Sequence, residues 1–280
     1  MSLSIKVLYD HFVHELETKW ELDESKKMAE IVFSHLFGLS RIDVFLNKSI
    51  SEPEEQLAPV LYRLLRGEPV QYVLNHAAFF GLSFFVNPDV LIPRQETEEL
   101  VALILKENDH RSKNILDIGT GSGIIALALH SHRPKWKVSA WDLSPEALEI
   151  AERNAHQLKL TVDFACLDIL NKDPDAGQYH VIISNPPYIP SAEKSLMAGH
   201  VVEYEPELAL FVADDHPLIF YDAIAKYALK SLKKKGKLYF EIHEDFAHQI
   251  QALLNHLGFE EIVIHHDLNK KARMASAIRS

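Results

Sequence analysis

The sequence predicts an α/β protein: a mostly parallel sheet of seven strands with helices on both faces, preceded by a small helical bundle and a β-hairpin. Three observations carry this. From about residue 96 onward, short apolar strand-like runs alternate with helical segments, and such alternation builds parallel sheets covered by helices. A glycine-rich stretch, Gly119-Thr120-Gly121-Ser122-Gly123, follows the first of these strands and opens a helix. Before residue 76 the apolar spacing is helical and no strand pattern occurs.

The elements follow in order. Leu8, Phe12 and Leu16 recur at helical spacing, as do Met28, Ile31, Val32, His35 and Leu36. Asp23 is placed to cap that second helix and Gly38 to end it. Pro59 to Leu65 reads as another helix, stopped by Gly67 and Pro69. Residues 1–75 are therefore expected to form a helical domain without chemistry of its own. Ala78 to Val86 reads as two aromatic-rich strands around a glycine turn, so 76–94 is expected to be a hairpin linker. In 95–280, Glu96 to Lys106 is helical with Thr97 as a candidate cap. Strands are expected at 114–118, 137–141, 162–167, 179–184, 237–242, 261–266 and 275–279. Helices are expected at 124–130, 145–158, 216–232 and 246–257, with Pro145 in a first turn.

Composition bounds the function. The chain has 280 residues, 47% hydrophobic and 25% charged, the balance of a globular protein with a substantial core. Its single cysteine, Cys166, excludes an internal disulfide and fits a reducing cytoplasm. It lies in the apolar run Phe164-Ala165-Cys166-Leu167 and is expected to be a buried structural thiol. No apolar run reaches the roughly 18 residues of a membrane span, and Met1 to Asp10 lacks a signal-peptide pattern. The net charge of -11 argues against direct nucleic-acid binding, which normally needs a basic face. The basic run Lys230 to Lys237 reads as a solvated helix end. His243, His265 and His266 lack an accompanying ligand pattern, so no metal site is expected.

The glycine loop points to a ligand. Glycines let the backbone turn tightly and approach a bound molecule, and the helix that follows offers free N–H groups. The spacing is G-x-G-x-G, with Ile124 where a dinucleotide fingerprint would carry its third glycine. Asp117 beside the loop would repel a pyrophosphate and suits a ligand with positive charge, such as S-adenosylmethionine. Asp142, 23 residues after Gly119, ends the next strand, where an acid can accept both hydroxyls of a ribose; the competing role is to cap the helix near Pro145. Asp168, after the third strand, is placed either to accept an adenine amino group or to cap a turn.

Ser184-Asn185-Pro186-Pro187-Tyr188 ends the fourth strand, at the sheet edge where ligands bind in open α/β folds. Two prolines fix the backbone and remove two N–H donors. An amide NH2 needs two acceptors. The Asn185 side-chain oxygen and the Pro186 carbonyl can supply them, with Tyr188 packing on the flat face of the substrate. Such acceptors draw density onto a weakly nucleophilic nitrogen and aim it at a methyl donor, so positioning carries the transfer.

These motifs and several further segments carry a resemblance. Arg66-Gly67-Glu68-Pro69-Val70-Gln71-Tyr72-Val73, Phe79 to Val86, Leu91-Ile92-Pro93-Arg94-Gln95-Glu96-Thr97-Glu98, and Val202-Glu203-Tyr204-Glu205-Pro206 with Ala209-Leu210 are similar to the HemK/PrmC protein-(glutamine-N5) methyltransferases. The resemblance covers nearly the whole chain. It implies a Rossmann-like class I methyltransferase domain, S-adenosyl-L-methionine as donor and S-adenosyl-L-homocysteine as product. It implies cofactor contacts at Gly119 to Gly123, Asp142, Asp168, Ile169 and Asn185, and glutamine contacts at Asn185 to Tyr188. Arg94, Glu96 and Thr97 match a signature near the active site. The implied substrate is the Gly-Gly-Gln glutamine of peptide chain release factors, with the helical domain as docking module and the protein a monomer. Two positions depart from the family pattern: Gln95 stands where proline is common, and Ile169 where some members carry an aromatic residue. The alternative substrates for the same motif are the amino groups of DNA adenine or cytosine, whose enzymes flip the base, and a ribosomal-protein glutamine.

Overall fold

The computed structural model describes residues 4–46, 53–173 and 176–280. Parts of the expected helical domain, residues 1–3 and 47–52, lie outside the described residues. The chain divides into two compact units, Met1–His76 and Ala77–Ser280. No helix among the described residues is long and apolar enough to cross a membrane.

The first unit is helical: α1 (Ile5–Leu16), α2 (Leu22–Phe37), α3 (Arg41–Phe45), α4 (Pro53–Leu65) and α5 (Val70–Leu74). Its core gathers Leu8, Phe12, Leu16, Val32, Phe33 and Leu64. Gly38 ends α2 in the left-handed conformation, as its position predicts. Asp23 does not cap α2; the helix begins one residue earlier, and Asp23 sits inside its first turn, where a carboxylate still favours the helix dipole. Pro59 lies inside α4 rather than at its start. The hydrogen bond lost there is tolerated because Leu57, Val60 and Leu64 on the same helix are buried. The short helices α3 and α5 have too few residues to show a period. Arg63 ties α5 to α4 through Glu68 and the carbonyls of Tyr72 and Val73.

The second unit opens with the hairpin β1 (Ala77–Phe79) and β2 (Leu82–Phe84), turning through Phe80 and Gly81 at positive φ. Phe79 and Phe84 are buried in the main core, so the hairpin belongs to this unit. There follow α6 (Gln95–Glu107), β3 (Asn114–Ile118), α7 (Ile124–His132), β4 (Lys137–Asp142), α8 (Pro145–Leu158), β5 (Asp163–Cys166) and β6 (Tyr179–Ser184). After β6 come the small pieces β7 (Ile189–Pro190), α9 (Gly199–Tyr204), α10 (Glu207–Leu210) and β8 (Phe211–Val212), then α11 (Ile219–Ser231), β9 (Leu232–Glu241), α12 (Ala247–Leu257), β10 (Phe259–His266) and β11 (Ala272–Arg279).

The expected seven-stranded sheet is present, in the order β10-β11-β9-β6-β3-β4-β5. The pairs from β9 to β5 are parallel, and β11 is antiparallel to both neighbours. Strand alternation sorts the core by face. Leu116, Ile118, Ile182, Leu238 and Phe240 pack beneath α11 and α12. Ile115, Val138, Ala140, Val181 and Ile183 pack beneath α6 and α7. Burying each such aliphatic side chain stabilises the fold by about 1.5–3 kcal/mol before entropy is counted.

Two sequence readings are corrected here. Cys166 is exposed, not buried, because β5 is an edge strand paired only with β4. Only Lys230 of the run Lys230 to Lys237 stands in a helix end; α11 stops at Ser231, and Lys233, Lys234, Lys235 and Lys237 lie in a bulged β9.

Gly123 starts α7 at φ +81°, and a Cβ there would lie 3.1 Å from Leu127 Cδ1 and 3.2 Å from Ala151 Cβ. Gly123→Ala is therefore expected to destabilise the protein by about 1–3 kcal/mol through backbone strain and overpacking. A thermal-unfolding midpoint lower by several degrees checks this; an unchanged midpoint refutes it.

Candidate active site

Strand order reverses between β3 and β6, which pair in parallel so that Ile118 lies opposite Ser184. The Ser184 hydroxyl donates to the Ile118 carbonyl at 2.7 Å. The two loops that carry the sequence motifs therefore leave the sheet side by side, at the crevice where such folds bind ligands. A cavity of about 300 Å³ opens there.

One wall is the glycine loop. The N–H groups of Gly119 and Thr120 donate to the Trp141 carbonyl at 2.8 and 2.9 Å, which folds the loop over the end of β4. Asn154, fully buried, donates to the Ser122 carbonyl and to the Phe85 carbonyl and accepts from the Phe85 N–H. Gly119, Thr120, Gly121 and Ser122 line the cavity. A Cβ on Gly119 or Gly121 would meet nothing within 4 Å, so the backbone is open there to a bound molecule.

Asp142 also lines the cavity. Its two carboxylate oxygens accept from the Gly121 N–H at 2.7 Å and the Ser144 N–H at 3.0 Å. Burial raises its pKa, opposed by those backbone donors. The cap of α8 is Ser144, which accepts from the Ala147 N–H at 3.1 Å, so that competing role does not fall to Asp142. Asp168 lines the same cavity while closing its own turn: its oxygens accept from the Leu170 N–H and the Asn171 amide. Ile169 presents an aliphatic surface beside it.

Asp117 is placed otherwise than its charge suggests. It is fully buried beneath the loop, not on the cavity wall, and accepts from the Thr120 hydroxyl at 2.7 Å. Burial pushes its carboxyl up to about 7, against the Thr120 hydroxyl and the Ala126 N–H. Its contribution is to hold the loop. Gly123 likewise packs between α7 and α8 rather than facing the cavity.

The opposite wall is built from Asn185, Pro186 and Pro187. The Asn185 amide nitrogen donates to the Thr97 hydroxyl at 3.3 Å. Thr97 in turn donates to Glu241 at 2.7 Å. Since the Thr97 proton is committed to the carboxylate, Thr97 can only accept from Asn185, and this fixes the amide with Oδ1 as its available acceptor. Thr97 is therefore no helix cap; it is buried as the third residue of α6, whose cap position is Arg94, and it bridges to β9. Tyr188 donates to the other Glu241 oxygen at 3.3 Å, and its ring meets His243 edge-on at 5.9 Å. It does not line the cavity, so it braces the site instead of offering its flat face. Burial, and then Glu241, raises its pKa.

Glu241 is the residue that motif reading missed. It ends β9 with 2% exposure, and burial pushes its carboxyl up to about 7, opposed by Thr97 and Tyr188 and reinforced by Glu96. Glu96 is half-buried and reaches the site only through this field. A second buried acid, Glu205, accepts from Arg94 at 2.5 Å and from the Ile92 N–H at 3.2 Å. It pins the 92–94 segment, whose Arg94 lines the cavity along with Thr97. The sequence signal for both acids was a carboxylate inside an otherwise apolar or helix-edge run.

Comparison with known proteins agrees with this architecture. Residues 8–74 match the model described as PrmC N-terminal domain, and residues 95–203 match Methyltransferase small domain. A release factor glutamine methyltransferase of Bacteroides thetaiotaomicron is 40% identical over 261 residues, covering 92% of this chain and 94% of the relative. Its namesake in Lactococcus lactis is 40% identical over 94% of this chain and 95% of its own length. A crystal structure of a methyltransferase from Pyrococcus furiosus shares the fold with a TM-score of 0.53 at 20% identity, covering 81% of this chain and 99% of that one. By its sequence kinship along nearly its whole length, the chain belongs to the release factor glutamine methyltransferase family.

Proposed function

We propose that this protein methylates the side-chain amide nitrogen of the glutamine in the Gly-Gly-Gln motif of peptide chain release factors, using S-adenosyl-L-methionine and leaving S-adenosyl-L-homocysteine. The observation that carries the reading is the Asn185 amide, fixed by Thr97 beside the open glycine loop. The cavity suits the cofactor: it is open over Gly119 and Gly121, carries the carboxylates of Asp142 and Asp168, and offers Ile169 as an apolar surface. Asp142 would take the ribose hydroxyls, and the Asp168–Ile169 turn the adenine. The cofactor supplies an electrophilic methyl group.

The chain's own residues do the rest. Asn185 Oδ1 and the Pro186 carbonyl accept the two N–H bonds of the glutamine amide. Each bond draws density toward nitrogen and fixes its direction, the two tasks that a delocalised lone pair needs. Pro186 and Pro187 have no N–H to compete for those oxygens. The surplus proton passes from the substrate nitrogen to solvent water as that nitrogen gains positive character, so no strong base is required. The helical unit, which matches the family's N-terminal domain, is the module proposed to dock the release factor, and a monomer suffices for this work.

Asn185→Ala should lower methyl transfer to purified release factor by about 100-fold or more, with cofactor affinity nearly unchanged; turnover within a few-fold of the native enzyme would remove Asn185 from the mechanism. Asp142→Ala should weaken cofactor binding about 10- to 100-fold, the scale of hydrogen bonds to a charged group, measured by calorimetric titration. The proposal as a whole fails if a release factor with Gln→Ala in its Gly-Gly-Gln motif accepts label as well as the native substrate.

Glu241 adds a pH dependence. Its folded pKa of about 7 lies above the ordinary carboxyl value, so its protonated form favours the fold. That contribution is complete below the ordinary value and is lost as pH rises through about 7. Glu241→Gln should therefore gain stability relative to the native protein as pH rises from 5 to 8. Parallel melting curves for the two proteins across that range would contradict this assignment.

A further inference from the structure

A second concave site lies at the opposite edge of the sheet, where β3 and β6 begin. It has a volume of about 250 Å³, and six lysine and arginine side chains line it against two carboxylates, Glu107 and Asp109. That balance is the reverse of the chain's own, which carries -11 overall.

The carboxylates are already engaged. Asp109 takes Arg111 at 2.5 Å and Lys113 at 3.4 Å, while Glu107 takes Lys237 at 3.4 Å. Lys235 pairs with Glu260 outside the cleft. Lys233 has no carboxylate partner among the described residues. Its Nζ lies 3.3 Å from His180 Nε2.

That contact is chemically unsatisfied. His180 Nδ1 accepts the Asn114 N–H at 2.8 Å, so the proton of the neutral ring is on Nε2. An ammonium has only donors. Two donors therefore face each other with no acceptor between them. Burial and the nearby Lys233 and Lys113 hold the His180 pKa below its ordinary value, which keeps the ring in the neutral form that Nδ1 requires.

The backbone presets this arrangement. Tyr179 pairs with Leu232 and Val181 with Lys237, so β9 loops out between them. Lys235 takes φ +62°. A Cβ on Gly236 would lie 2.8 Å from the Lys233 carbonyl, so the bulge is too tight for any other residue without movement. The lysines are thus carried on a stiff turn.

We propose that this cleft binds a phosphate-class oxyanion, whose oxygens accept from the Lys233 and Lys113 ammonium groups and from the His180 Nε2–H. An oxygen between Lys233 and His180 converts the unsatisfied donor pair into two hydrogen bonds, both charge-assisted by the anion. The site lies at the far edge of the sheet from Asn185, so its occupancy does not require the methyl-transfer cavity.

The test uses the full chain at low ionic strength. Pyrophosphate is titrated calorimetrically against the native protein and against the Lys113→Gln/Lys233→Gln double variant, and nitrogen-15 NMR reports the His180 tautomer. The expected result is saturable binding weakened at least tenfold in the double variant, an Nε2-protonated ring, and a His180 resonance that moves on titration. Methyl transfer to release factor should be retained in the variant. A short single-stranded RNA provides the second arm. Tighter binding than pyrophosphate, with a steeper salt dependence, would assign the anion to a polynucleotide backbone; equal or weaker binding would assign it to a small free phosphate. The proposal is overturned if pyrophosphate does not bind at millimolar concentration, if the double variant binds as well as the native protein, or if His180 is protonated on Nδ1.

Discussion

Parallel pairing of β3 with β6 is the constraint on which the candidate site depends. It brings the residue after Ile118 next to the residue after Ser184, although they are far apart in the chain. The glycine bend is held by its hydrogen bonds to Trp141, Asp142 and Asn154, and the Asn-Pro-Pro-Tyr turn is stiffened by its prolines. Their separation is therefore set by strand spacing, roughly 4.8 Å between neighbours. A methyl transfer needs donor carbon and acceptor nitrogen held near contact distance and in line. Two stiff loops on adjacent hydrogen-bonded strands supply that without a moving part, and the Ser184–Ile118 hydrogen bond adds a lock where the strands end.

Behind this front lies a layer of buried carboxylates with an energetic cost of its own. Asp117, Glu205 and Glu241 are all buried, and an unpaired buried charge is expensive. Each is compensated differently. Glu205 has a guanidinium and a backbone N–H. Asp117 and Glu241 have hydroxyl donors, and burial leaves both near neutrality in pKa. A hydroxyl is a weaker partner than a cation, but it is directional. Thr97 shows the gain: its single proton points at Glu241, and that choice dictates which way the Asn185 amide faces. The buried acid thus acts on the candidate site through orientation, at two hydrogen bonds' remove. Replacing it by an apolar residue would free Thr97 to donate to Asn185 and allow the amide to turn over.

The parts of this design differ in how far they could be read from the chain. Strands such as Asn114–Ile118 and Tyr179–Ser184 have the boundaries their apolar runs suggest, because a strand buried on both faces needs a continuous run. The glycine loop and Asn185 were legible because each motif is local. Thr97 was placed near the site by the resemblance alone: at a helix start it has the chemistry of a cap, and its actual partner lies 144 residues away. Glu241 was overlooked for the same reason, since a carboxylate at the end of Leu238-Tyr239-Phe240 has no local meaning until β9 is laid beside β6. Cys166 misled because apolar neighbours do not reveal that a strand is at an edge. Tyr188 and Asp117 stand in the right motifs but face away from the cavity, and facing depends on backbone direction rather than on residue type.

The same sheet carries opposite electrostatics at its two edges. Where the parallel strands end, carboxylates of Asp142 and Asp168 line the cavity and favour a cationic ligand. Where β3 and β6 begin, lysines crowd a cleft whose acids are already paired. Net charge averages over this and reports only the acid surplus, so it cannot exclude an anion site built from a few residues. The two regions differ in a further respect. Asp142 is satisfied by the protein's own N–H groups, and a ligand adds to a complete network. Lys233 and His180 are not, and a ligand completes theirs. An incomplete network on a stiff bulge is the stronger sign of a missing partner, because the fold holds two donors together that would otherwise move apart.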